Sequence, residues 1–228
     1  MNKKLLKRMV AGALSLCLLG ALTACGGGLT EKDAETYIKG HLDAYYLGTY
    51  AQEYIELVED MTEDDAKEMH RDNVEWEVEY LLQKFMEVEY PTDEMAQRAE
   101  KLIEEVYSKA QYQVGSASKT KDGDFVVEVT VSPIEVVSLL TEDDFSSALE
   151  ESGFNAAETE EAAAAADAVY GMLMLDKLEE LMPQLTYGED QIIMLQLKAG
   201  EDGYYTLVDS GMQKLDEVMI DYYGTYTK

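Results

Sequence analysis

His41 and His70 are the only two histidines in the chain, and Cys17 and Cys25 its only two cysteines. That scarcity restricts the chemistry available. No His-x-x-x-His pair occurs, so a zinc site would have to draw carboxylates to a single histidine by folding. The spacing suggests no metal and no cofactor. His41 falls on the apolar side of the first helical stripe and reads as a packed or hydrogen-bonded helix residue. Gly115-Ser116-Ala117-Ser118 lacks the second glycine of a nucleophile elbow and lies on a strand pattern. There is no P-loop and no Gly-x-Gly-x-x-Gly opening a helix. Acidic clusters abound (Glu63-Asp64-Asp65, Asp143-Asp144, Glu160-Glu161), but none follows the calcium-loop alternation with its central glycine. Several of them read as first-turn acids that a helix dipole favours. The 16 tyrosines, many in couplets such as Tyr45-Tyr46, Tyr204-Tyr205 and Tyr222-Tyr223, offer rigid aromatic area of the kind that binds sugars or peptides.

The elements that must position these residues follow from periodicity and punctuation. Thr30-Glu-Lys-Asp33 predicts a helix start, with Ala34, Tyr37, Ile38, His41, Leu42 and Tyr45 on one stripe and Gly48 as the stop. A short helix follows through Tyr50, Tyr54, Leu57 and Val58. Thr62-Glu-Asp-Asp65 repeats the cap, and behind it Met69, Val74, Val78, Leu81, Phe85 and Val88 form a stripe running to Pro91. Within it "VEWEVEY" (74–80) alternates like a strand, but the longer stripe passes through it and no turn bounds it, so helix is the assignment. Thr92 caps the next helix. Residues 112–137 read as a hairpin turning at Asp122-Gly123, with Val127, Val129 and Val131 facing one way. Thr141-Glu-Asp-Asp144 opens another helical stretch, and 158–185 predicts a long, alanine-rich helix with Gly171 inside it, at a cost of about 1 kcal/mol against alanine. A second hairpin over 190–210 turns at Glu201-Asp202-Gly203. A last helix holds Met212, Leu215, Val218, Met219 and Tyr222. "DAYYLGTY" (43–50) and "DYYGTYTK" (221–228) echo one another, each where a helix is expected to end at a glycine. The fold class is α+β: N-terminal helices packed on an antiparallel sheet of two hairpins, with a helical insertion and a C-terminal helix, in a single domain over 31–228.

The formal charge is −29, from 18 basic and 47 acidic residues. Such a chain repels nucleic-acid phosphate and anionic lipid alike, which excludes nucleic acid as a partner. A hydrophobic content of 46% supports a folded rather than a disordered chain.

Lys3, Lys4, Lys7 and Arg8 form a positive n-region before an uncharged apolar run that ends in Leu22-Thr23-Ala24-Cys25. That run suits a signal-peptide core and is short for a spanning helix. The pattern resembles the lipobox of bacterial lipoproteins. The resemblance implies cleavage after residue 24 and acylation of Cys25, with 25–30 as a lipidated tether through Gly26-Gly27-Gly28. Cys17 would leave with the leader, so no intrachain disulfide would form. The partner on this reading is the membrane, reached through the acyl anchor, and the location is its extracytoplasmic face. The segment 34–82, with its acidic opening helix, aromatic-glycine turn and "T-E-D-D-A" cap, resembles small Gram-positive lipoproteins that carry a domain of unknown function. The layout is also similar to the NTF2-like (cystatin-like) arrangement, in which helices wrap a curved sheet. That resemblance implies a pocket between sheet and long helix, lined by Trp76, Tyr80 and residues of strands 124–132 and 190–198. The functional expectation is a non-enzymatic binding or accessory domain at the cell surface, taking a small ligand or an envelope protein. The alternative is an envelope hydrolase with a carboxylate and His41 or His70 as its acid and base.

Overall fold

The computed structural model describes residues 29–200 and 203–227. The leader, Cys25 and the glycine tether, together with Glu201 and Asp202 of the second hairpin turn, lie outside the described residues. By its internal contacts the chain forms two compact units. One comprises the chain up to Asn73, Gln113–Thr130 and Ile192–Lys214; the other comprises Val74–Tyr112, Val131–Gln191 and the chain from Leu215 onward. The fold is α+β, as the sequence predicts.

The first unit opens with α1 (Glu31–Leu47). Thr30 and Asp33 close a reciprocal capping box at its start, and Gly48 ends it in the left-handed conformation (φ 62°), donating its N–H to the Asp43 carbonyl. Helix α2 (Gln52–Leu57) is brief and crosses close over α1. There Gly40 leaves room for Tyr54, since a Cβ on it would sit 2.3 Å from the ring's Cγ. Helix α3 (Glu63–Glu79) begins with a second capping box: Asp65 N–H donates to Thr62 Oγ1 at 3.2 Å, and Thr62 N–H donates to Asp65 Oδ2 at 2.8 Å.

Strands β1 (Gln111–Lys119), β2 (Phe125–Ser132), β5 (Gln191–Ala199) and β6 (Tyr205–Leu207) form an antiparallel sheet in the order β1-β2-β5-β6. The β5–β6 register pairs Leu197 with Leu207 and Ala199 with Tyr205, so the second hairpin forms as expected. Val127, Val129 and Val131 are fully buried, the inward side of the alternation read from sequence. Each such side chain contributes about 1.5–3 kcal/mol of apolar burial. Asp124 ties strand to strand, accepting from Gln196 Nε2 (2.8 Å) and Ala199 N (2.9 Å). The outer edge of β1 is covered by carboxylates of α1: Ala117 N donates to Glu35 at 3.1 Å, and Lys119 N to Glu31 at 3.3 Å. Those contacts occupy N–H groups that would otherwise template pairing with another chain.

In the second unit the regular part of α3 gives way at Tyr80 to a π-helical turn over Tyr80–Phe85. The extended stripe is therefore helical, as expected, but it stops before Val88. Met86 N–H bonds the Leu81 carbonyl (2.9 Å), and Glu87 adopts φ 59°, which reverses the chain ahead of Pro91. Helices α4 (Asp93–Tyr107), α5 (Glu142–Ser152) and α6 (Glu160–Leu181) follow, with threonine caps at Thr92, Thr141 and Thr159. Gly171 is where α4 meets α6, because a Cβ there would lie 2.4 Å from Met95 Sδ. Arg98 of α4 reaches Glu179 at 2.6 Å and also bonds Asp176; Lys177 pairs with Asp144 of α5 at 3.2 Å. Strands β3 (Ile134–Glu135) and β4 (Thr186–Tyr187) form a small antiparallel sheet.

Helix α7 (Asp209–Met219) ends three residues before Tyr222, which the apolar stripe had placed inside it. Ile220 instead bridges to Ile134, and the Asp221 carboxylate accepts N–H groups from Tyr223 (3.1 Å), Thr225 (3.0 Å) and Tyr226 (2.8 Å). A side chain thus replaces the helical carbonyls, and Gly224 belongs to this turn rather than to a helix stop. Of the two echoing segments, only the first ends a helix.

Candidate functional site: an aromatic surface over a buried carboxylate

The two histidines fall in the first unit, on separate tasks. His70 Nδ1–H and Asn73 Nδ2–H both donate to the Tyr45 carbonyl, at 3.0 and 3.1 Å, because a carbonyl can only accept. They satisfy one of the orphan carbonyls at the end of α1. His41 stacks between Tyr37 (ring centroids 5.7 Å apart) and Tyr45 (6.0 Å), and the Tyr54 hydroxyl lies 3.4 Å from its Nδ1. Burial lowers the His41 pKa from 6.5 to about 4.

The sign of the linkage is set by that depression. The unfolded chain takes up a proton below pH 6.5, whereas the folded chain resists until about pH 4, so stability is lost as pH falls through this window. The expected loss is about 2–3 kcal/mol, discounted for the ring's partial contact with solvent. Imidazole NMR should show His41 titrating near pH 4, and His41→Phe should remove the acid-side loss. A midpoint near the ordinary histidine value would refute this account.

The second unit holds Trp76 and Tyr80, the two residues expected to bind a ligand. They lie one helical turn apart and stack at 5.7 Å with their planes inclined by 17°. Tyr222 packs edge-on against Tyr80 (5.0 Å) and against Phe85 (4.9 Å). Phe85 in turn meets Tyr223 (5.8 Å) and Phe145 of α5 (5.8 Å). The result is a continuous run of rings whose outer members remain open: Trp76 is 41% exposed and Tyr223 71%. The π-helical turn helps to build it, since it shifts Phe85 relative to a regular helix.

Beneath the rings lies Glu77, only 4% exposed. One oxygen accepts from the Tyr107 hydroxyl at 2.8 Å and the other from the Tyr222 hydroxyl. Burial raises the Glu77 pKa above the usual carboxylate range, and the two phenol donors act against that rise. Burial and the adjoining carboxylate push the Tyr107 and Tyr222 phenols well up. Tyr80 is raised to about 12, by burial first, then by Tyr223 and by the charges of Glu77 and Glu217. With both oxygens engaged, Glu77 fixes the rings rather than facing outward.

The sequence names Trp76 and Tyr80 as candidate ligand-binding residues; the structure sets them beside Glu77, Tyr107 and Phe85, which the sequence reading did not single out as candidates. A signal for Glu77 existed. It stands three residues after Val74 and four before Leu81, an acid on the apolar stripe. Of strands 124–132 and 190–198, expected beside Trp76 and Tyr80, residues 124–130 and 192–198 belong to the first unit and 131–132 and 190–191 to the second, whereas this ring cluster is built from second-unit residues. Among the described residues no group of three or more His, Cys, Asp or Glu side chains is placed to hold a metal ion.

Fold and site together define an α+β protein bearing a surface run of aromatic rings set over a buried carboxylate. No protein-family model matches the chain, and no curated protein does. Among solved structures the chain is similar to YcdA, a candidate lipoprotein of Bacillus subtilis, with 20% identity and a TM-score of 0.55. The similarity covers 83% of this chain and 56% of YcdA, so the chain spans little more than half that protein's length. At this identity the likeness establishes a shared fold.

Proposed function

We propose that the chain is a lipid-anchored extracytoplasmic protein of a Gram-positive bacterium that binds its ligand on the Trp76–Tyr80–Tyr223 surface. The observation that carries the binding half is the exposure of Trp76 and Tyr223 along a run of rings in which Trp76 stacks on Tyr80 and Tyr222 is held by Glu77. Rigid aromatic area costs little entropy to present and suits sugar or peptide ligands. The anchor half rests on the lipobox-like Leu22-Thr23-Ala24-Cys25 and on the name of the fold neighbour. Among the described residues no helix is long and apolar enough to cross a membrane, which is compatible with a lipid anchor. Two or three acyl chains on Cys25 would hold the protein firmly, at about 0.8 kcal/mol per buried CH₂. We read the helices on a four-stranded antiparallel sheet as NTF2-like.

Two measurements test the halves separately. Cys25→Ser should abolish labelling by a fatty-acid analogue and release the protein from the membrane fraction; a variant that stays bound and processed refutes the anchor. Trp76 is the chain's single tryptophan, so its fluorescence reports the proposed surface directly. Envelope oligosaccharides or peptides should perturb it saturably in the full chain, and Tyr223→Ala should weaken that response. Silence from every ligand class refutes the binding surface.

A further inference from the structure

The ring surface has a predominantly acidic environment. The stretches 74–85 and 214–227, which supply Trp76, Tyr80, Phe85, Tyr222 and Tyr223, hold exposed Glu75 and Glu217 and half-buried Glu79 and Asp216 against Lys84 and Lys214, while Glu77 and Asp221 are buried. Glu217 is exposed, and its charge reaches the Tyr80 phenol. Ring faces are themselves negative, because the π quadrupole places electron density above and below the plane. An excess of carboxylates beside exposed rings, with Glu217 acting on Tyr80, is complementary to a cation and repels an anion. The whole chain, at −29, adds long-range attraction of the same sign. The openness of Trp76 and Tyr223 fits a side chain carried on an extended segment better than a ligand that must be enclosed.

We infer that the Trp76–Tyr80–Tyr223 surface takes arginine or lysine side chains from a basic segment of a partner protein, the cation lying against the rings with Glu217 as its carboxylate neighbour. This inference rests on the binding surface proposed above and specifies its occupant. Bulk attraction alone would not need the rings. Cation–π contact adds about 0.5–2 kcal/mol, which corresponds to about 2- to 30-fold in affinity.

The test uses the full chain in detergent, with Trp76 fluorescence read in about 0.15 M salt to screen distant charge. The probes are a short Gly-Ser peptide bearing arginines, the same peptide with lysines, an isosteric peptide with neutral citrulline, and a neutral N-acetylglucosamine oligomer. Saturable change with the arginine and lysine peptides is expected, with binding about tenfold weaker for citrulline. Tyr223→Ala, at an exposed position that leaves the core intact, should weaken the arginine peptide about tenfold, and Glu217→Gln a few-fold. Citrulline binding as tightly as arginine overturns the cationic occupant while the ring surface stands. Response to the oligosaccharide alone does the same. Arginine-peptide affinity unchanged in Tyr223→Ala reduces the effect to bulk charge and overturns the inference. If no probe changes the fluorescence, the inference and the binding surface fall together.

Discussion

Glu77→Leu is expected to destabilise the protein by about 2–4 kcal/mol, and by more in mild acid than at neutral pH. Two opposed effects set the size. Leucine removes the acceptor of the Tyr107 and Tyr222 hydroxyls inside the protein, and a buried donor that loses its partner costs about 1–3 kcal/mol. It also removes a carboxyl group that burial penalises when charged. The first loss is present at every pH. The second depends on ionisation, and its sign follows from a pKa raised above 4.5 in the folded chain. Below pH 4.5 the group is protonated folded and unfolded, and it carries no penalty. As pH rises through the interval up to the folded value, the unfolded chain releases its proton first, so native stability falls. The native protein therefore loses with rising pH something that the leucine variant never had. Glu77→Gln sharpens the point, because its amide oxygen keeps one phenol bond without a charge. Its deficit should be about 1 kcal/mol in acid and should shrink or reverse toward neutral pH. Urea unfolding of the three proteins at about pH 4.5, 6 and 7.5 decides the matter. Differences that do not change with pH would mean that Glu77 titrates as an ordinary carboxyl. A leucine variant as stable as the native protein would mean that the phenols find other partners.

This coupling between a buried acid and a surface of rings explains which features were readable from sequence. Local chemistry was: Thr30 with Asp33, Thr62 with Asp65, and Thr141 with Asp144 are capping boxes in the structure, and each draws its signal from four consecutive residues. The valine alternation of β2 was equally direct, since one buried face imposes a period of two. The π-helical turn was not legible. It depends on packing over Tyr80–Phe85, and its residues are ordinary helix formers. The end of α7 was missed for a related reason. The apolar stripe runs on to Tyr222, but the Asp221 carboxylate captures three backbone N–H groups and turns the chain, a competition that period alone does not weigh. Glu77 was hidden by abundance. Among 47 acidic residues, only its position on the stripe of α3 distinguishes it, and its phenol donors come from Tyr107 and Tyr222, far along the chain.

The tightest contact in the first unit yields the second large effect. Gly40→Ala should destabilise the protein by about 2 kcal/mol, although alanine favours a helix over glycine by about 1 kcal/mol. The new methyl would lie 2.3 Å from Tyr54 Cγ, 2.4 Å from its Cβ and 2.6 Å from Cδ2. These are atoms at the root of the ring, where rotation about χ2 gives no relief. Clearance therefore requires α2 to lift from α1, which opens the packing around a buried tyrosine. Overpacking of this kind costs about 1–3 kcal/mol, and the loss of Tyr54 contacts adds to it, so the helix-propensity gain is outweighed. Two readouts separate this mechanism from general fragility. If Tyr54 lifts away, His41 loses part of the shell that holds its pKa near 4, and its NMR titration should move toward the ordinary histidine value. In a Tyr54→Gly background, where all three contacts are gone, Gly40→Ala should cost much less, giving a coupling of about 1–2 kcal/mol in a double-mutant cycle. Additive effects, with an unmoved His41 titration, would show that the Gly40 methyl is accommodated elsewhere and that Tyr54 is not what requires a glycine there.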